Sequence, residues 1–119
     1  MVANFTSWLE KLFEDYPMPD EMQSILFETH VGAYNYVELK AYEREPNINA
    51  ICYYPIEAQF YHDNSLAKMN EKQFINRLYY LIEECFSNEF LNWHLKNKKI
   101  YLKYKNNIKY LFNVWFFLI

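Results

Sequence analysis

A single glycine, Gly32, occurs in 119 residues, and that scarcity removes several function classes at once. Phosphate-cradling loops, dinucleotide-binding turns and nucleophile elbows need glycines where backbone turns tightly or approaches a ligand. None of them fits this chain. Cysteine is scarce too. Cys52 and Cys85 lie in segments that read as a strand and a helix face, and buried free thiols are expected. The sequence holds no His-x-His, Cys-x-x-Cys or His-Glu-x-x-His spacing among His30, His62, His94 and the two cysteines, so neither a metal nor a cofactor is expected. Long apolar runs are missing: the terminal Val114–Ile119 is far too short to span a bilayer, and no basic leader precedes an apolar stretch. The expectation is a soluble, cytoplasmic protein with no membrane contact.

Catalytic constellations are equally thin. Ser65, His62 and Asp63 are near neighbours in one loop, where nucleophile, base and orienting acid cannot line up. Adjacent Glu83 and Glu84 diverge from a helix rather than converge on one substrate. A non-enzyme is expected.

What is abundant is aromatic surface, with twelve Tyr, ten Phe and three Trp. Charge is unevenly spread. Residues 1–70 hold eleven Asp/Glu against four Lys/Arg, and residues 71–119 hold four against eight, within a net charge of -3. Such asymmetry points to a charged partner.

Apolar periodicity organises the chain as one domain, 1–119. Phe5, Trp8, Leu9, Leu12, Phe13 and Tyr16 follow helical spacing, with Asn4 or Ser7 as the cap, and the helix must stop at Tyr16-Pro17. From Gln23 the period becomes two. Ile25, Phe27, Thr29 and Val31, then Val37, Leu39 and Ala41, flank Gly32 as a hairpin. A short strand within Ala50–Ile56 follows, then a long connection over Glu57–Met69. One long helix is expected from Asn70 to Leu95, because Asn70 and Gln73 form a capping box ahead of Phe74, Ile75, Leu78, Leu81, Ile82, Cys85 and Phe86. Lys98–Lys105 and Ile108–Phe112 close the chain as a hairpin turning at Asn106-Asn107. The order α-β-β-β-α-β-β predicts an α+β two-layer sandwich. Its mainly antiparallel sheet has about five strands, with two helices on one face.

Two surfaces stand out. Tyr34, Tyr36, Glu38 and Tyr42 are expected on one face of the second strand, with Glu43, Glu45, Glu57 and Asp63 in adjoining loops. Tyrosine gives rigid amphipathic contact area, and surrounding acids steer a basic partner. An alternative is that the Glu57–Met69 loop simply covers this face. The second surface is the lysine-rich hairpin, Lys96, Lys98, Lys99, Lys103, Lys105 and Lys109 with Tyr101, Tyr104 and Tyr110, which suits nucleic-acid phosphates and bases. It lacks arginine, the preferred phosphate fork, and lysines also protect edge strands. The terminal Trp115–Ile119 run closes either the core or a homodimer.

The layout, with its proline-bracketed turn Tyr16-Pro17-Met18-Pro19-Asp20, the hairpin of Ile25–Phe27 and Tyr36-Val37-Glu38-Leu39, a long helix and the terminal hairpin Ile100–Tyr104 to Tyr110–Phe112, resembles the small cytoplasmic immunity proteins of bacterial contact-dependent and polymorphic toxin systems. That resemblance implies a non-catalytic protein that binds a cognate toxin domain, often a basic nuclease, and blocks its active site. The alternative is a nucleic-acid-binding accessory protein of phage or mobile-element origin.

Overall fold

A computed structural model describes residues 4–46, 52–60 and 66–114. Helix α1, Phe5–Asp15, begins where the Asn4 side chain accepts the Ser7 N–H at 2.7 Å, which selects Asn4 as the cap. It ends ahead of Pro17 and buries Phe5, Leu9, Leu12 and Phe13. Strands β1, Ser24–His30, and β2, Tyr36–Tyr42, form the expected antiparallel hairpin, in register from Ser24↔Tyr42 to His30↔Tyr36. The third strand is short: β3 is Cys52–Tyr53, paired to the Tyr42 end of β2.

The long connection has structure of its own. Gln59–Phe60 forms β4 against Val37 and Glu38, so it extends the edge of the sheet instead of lying over its face. Beyond it, the buried Asn35 carboxamide donates to the Leu66 and Met69 carbonyls, at 3.0 and 2.6 Å, and fastens the chain before the next helix.

The helix expected over Asn70–Leu95 is two helices. Helix α2, Glu71–Cys85, has the Asn70/Gln73 capping box with both bonds formed. It stops because Ser87 Oγ donates to the Glu84 carbonyl and Asn88 starts a new helix, accepting the Leu91 N–H at 3.0 Å. That helix is α3, Glu89–Leu95. Asn88 therefore acts as a cap that divides the expected single helix; a side chain that competes for backbone partners favours helix ends.

Strands β5, Lys99–Tyr104, and β6, Asn107–Asn113, form the last hairpin. Its two turn residues are Lys105 and Asn106, not Asn106 and Asn107, and Lys105 takes the positive φ of 57°. Leu111 is an extra residue between the Ile100↔Phe112 and Tyr101↔Tyr110 pairs, a bulge in the outer strand.

The sheet has six strands in the order β3-β2-β1-β5-β6, with β4 also on β2. The expected five-strand antiparallel sheet is thus enlarged, and its centre is a parallel pair: β1 and β5 run together from Ser24↔Lys99 to Glu28↔Lys103. A parallel pair needs a long crossover, and the chain running through α2 and α3 supplies it. The class is α+β with one helical layer. Phe5, Leu9, Leu12 and Phe13 of α1, Phe74, Leu78 and Ile82 of α2, and Leu91 and Leu95 of α3 pack on Ile25, Phe27, Val37, Leu39, Ile100 and Leu102 of the sheet. Each such side chain contributes roughly 1.5–3 kcal/mol by leaving water. Val114 is buried beneath this layer, its N–H and carbonyl tied to Lys98 and Asn97. Residues 115–119 lie outside the described residues, as do the Ser65–His62–Asp63 group and residues 47–51.

Candidate functional site

Period two sends Glu28 and His30 of β1, Tyr36, Glu38, Lys40 and Tyr42 of β2, and Tyr101 and Lys103 of β5 to the sheet face opposite the helices. The described helices all pack on the other side, so among the described residues no helix covers this face, the open face of the sheet. A small apolar cluster of Leu26, Tyr42 and Tyr101, with Cys52 against it, anchors one end. A connected polar network occupies the other.

Glu28 and Glu38 stand directly opposite one another in the register. His30 Nε2 lies 2.5 Å from Glu38 Oε1 and 3.5 Å from Glu28 Oε2. The Tyr36 ring stacks on the imidazole, centroids 4.4 Å apart and planes 10° from parallel. Lys40 Nζ contacts Glu28 Oε1 at 3.0 Å and Lys103 Nζ is 3.9 Å from Oε2. From the strand edge, Tyr54 donates its hydroxyl to Glu38 Oε2, and Gln59 Nε2 reaches the same oxygen at 3.1 Å.

These contacts set the ionisation of the face. Burial pushes the Glu38 carboxyl up, but hydrogen bonds from Tyr54, Gln59 and His30 outweigh it and hold the group below the ordinary carboxylate range. Burial pulls Lys40 down, and the Glu28 carboxylate more than restores it, so its ammonium is held above the usual value. Burial, together with the Glu38 carboxylate, pushes the Tyr54 phenol up to about 12. At neutral pH, Glu38, Lys40 and Tyr54 therefore keep the states that fit one another.

Of the eight residues singled out from sequence, Tyr36, Glu38 and Tyr42 share this face. Tyr42 is only 6 % exposed, part of the small cluster instead of a free anchor. Tyr34 is not on the strand: it sits in the β1–β2 turn, 60 % exposed, with Lys68 Nζ 5.9 Å from its ring centre. Glu43 and Glu45 are exposed in the turn after β2, and Glu45 reaches the Tyr101 hydroxyl at the rim of the face. Glu57 belongs elsewhere; its carbonyl accepts the Trp8 indole N–H at 3.0 Å beside α1. Asp63 lies outside the described residues. Sequence reasoning did not assemble Glu28, His30, Lys103, Tyr54 and Gln59. The signal for two of them was Glu28-Thr29-His30, whose i, i+2 spacing on a strand puts both on one side.

The lysine hairpin divides. Lys98 is buried, its ammonium 3.1 Å from the Asp20 carbonyl. Lys103 faces Glu28, Lys105 pairs with Glu71 at 3.4 Å, and Lys109 lies over the Tyr79 ring of α2 on the opposite side of the sheet. Among the described residues, no helix is long and apolar enough to cross a membrane. Comparison with protein-family models, curated proteins and solved structures found no match.

Proposed function

We propose that this chain is a non-catalytic binding protein of the immunity type, which docks its open sheet face on a cognate toxin domain. The observation that carries the reading is the open face itself. A two-layer fold normally turns such a face to water and makes it polar. Here it carries exposed Tyr54, Ile108 and Tyr110 and half-buried Tyr36 around an ordered charge network, with Glu43 and Glu45 at its rim. Aromatic anchors around preorganised charges are how protein interfaces gain affinity at little entropic cost. The acidity expected across the face is concentrated at the rim, because Glu28 and Glu38 are matched by His30, Lys40 and Lys103. Rim charges govern encounter rate more than affinity.

The test is to read the neighbouring genes for a secreted protein with a C-terminal toxin domain and to co-express any such domain with this chain, scoring survival of a sensitive strain. Wild type should protect. Tyr36→Ala with Tyr54→Ala should abolish protection in a folded chain, and Glu43→Lys with Glu45→Lys should slow association at low salt. Protection unaffected by all four changes overturns the reading. Tight binding to generic DNA or RNA that weakens steeply with salt would favour a nucleic-acid partner at the lysine hairpin instead.

A further inference from the structure

We propose that Glu28, His30 and Glu38 form a three-ligand site for a first-row divalent cation such as Zn2+. His30 Nε2, Glu38 Oε1 and Glu28 Oε2 converge, and the three residues' ligand atoms all lie within 4.8 Å of one another. A cation bound at about 2.0–2.2 Å from nitrogen and oxygen places tetrahedral ligands roughly 3.4 Å apart. The present spacings of 2.5 and 3.5 Å bracket that value.

The register offers a second argument. Two glutamates directly opposite one another on adjacent strands repel, and sheets ordinarily avoid the pairing. In the free chain His30, Lys40 and Lys103 offset that repulsion, and a cation seated between the two carboxylates would draw on both at once. The ligands also stand on paired strands of the sheet, not on a loop, so backbone hydrogen bonds fix their positions.

An outer shell is already in place. Tyr54 and Gln59 hold Glu38 Oε2, leaving Oε1 toward His30; Lys40 holds Glu28 Oε1, leaving Oε2 toward His30. Tyr36 fixes the plane of the imidazole. Partners of this kind orient metal ligands and tune their basicity. One imidazole and two carboxylates form a mixed set, harder than a thiolate site and softer than the all-oxygen cages of Ca2+ and Mg2+. Three protein ligands leave a coordination position for water or for a side chain of a docked protein.

Loading requires the Nε2 lone pair to face the cation. In the neutral ring the proton moves to Nδ1; from the imidazolium one proton is released to solvent. The His30–Glu38 hydrogen bond is then replaced by bonds from both groups to the cation. Lys103, whose side chain is 27 % exposed, swings away from Glu28 Oε2.

This site goes beyond the proposed docking function, since the cation binds the free chain with no partner present. The experiment is calorimetric titration of the chelator-treated full chain with ZnCl2. One saturable site per chain is expected. His30→Asn and Glu38→Gln should each weaken it roughly 100-fold, and Tyr54→Phe about ten-fold as an outer-shell partner. Lys103→Met should tighten it several-fold, and His94→Asn should change nothing. The ring nitrogens of His30 in the wild-type chain, followed by NMR, give a readout independent of variant folding: Zn2+ should shift Nε2. No saturable binding, binding that survives His30→Asn and Glu38→Gln, or an unmoved His30 Nε2 overturns the proposal.

Discussion

On β2 the residues facing the helices, Val37, Leu39 and Ala41, have no exposure at all, while Tyr36, Glu38 and Lys40 between them keep partial contact with water. One strand thus serves two environments. The helix-covered face is held mainly by apolar burial spread over many side chains. The open face is held by a few hydrogen-bonded charges, each dependent on its neighbours. Damage to the first face should be read as lost stability, and damage to the second chiefly as lost recognition.

The sharpest way to break that contrast is to cut into both faces of β1. Phe27→Ala should remove about 3–5 kcal/mol from the free energy of unfolding measured in urea, since the ring is wholly buried under α1. On the adjacent open-face position, Glu28→Gln should cost roughly 1–3 kcal/mol, because Lys40, Lys103 and His30 lose their common charge. A double-mutant cycle with Lys40→Met should recover part of that loss; strict additivity would mean that the network is not coupled. Smaller still, Asn88→Ala should cost about 1 kcal/mol by uncapping α3.

Tyr53 tests the covered side by pH. Burial against Phe13 pushes its phenol up to about 12, and its hydroxyl donates to the Tyr16 carbonyl. The folded value lies above the unfolded one near 10, so this contribution is fully present below pH 10 and is lost as pH rises toward 12. Tyr53→Phe should flatten the stability profile across that window. The smallest effect belongs to Tyr110→Ala: on the exposed edge strand it should change stability by less than about 0.5 kcal/mol while weakening partner capture. A large loss of stability there would erase the distinction between the faces.

Local patterns made much of the fold legible. The Asn70 capping box, the stop before Pro17 and the alternation of Val37, Leu39 and Ala41 each act through neighbours three or four residues away, or through a strict period of two. Places where two local rules compete were not legible. At Asn88 a cap interrupted an apolar stripe that reads as continuous, and at Lys105 the hairpin register put a lysine, not an asparagine, at positive φ. The candidate site was half visible. Tyr36 and Glu38 were placed by their own strand, but their partners came from β1, β5 and the segment around Tyr54.

By itself, then, the sequence determined the helices' apolar stripes, the in-and-out sense of the strands and the α+β class, because these depend on short-range geometry. Only the tertiary structure decided that β1 runs parallel to β5, that β4 joins the edge of β2, and that Glu28 meets Glu38, His30, Lys40 and Lys103. Glu28 and Lys103 stand 75 residues apart, and no local period fixes which strands become neighbours. That choice belongs to the packing of the whole core, in which Ile100 and Leu102 of β5 lie beside Ile25 and Phe27 of β1 beneath the helices.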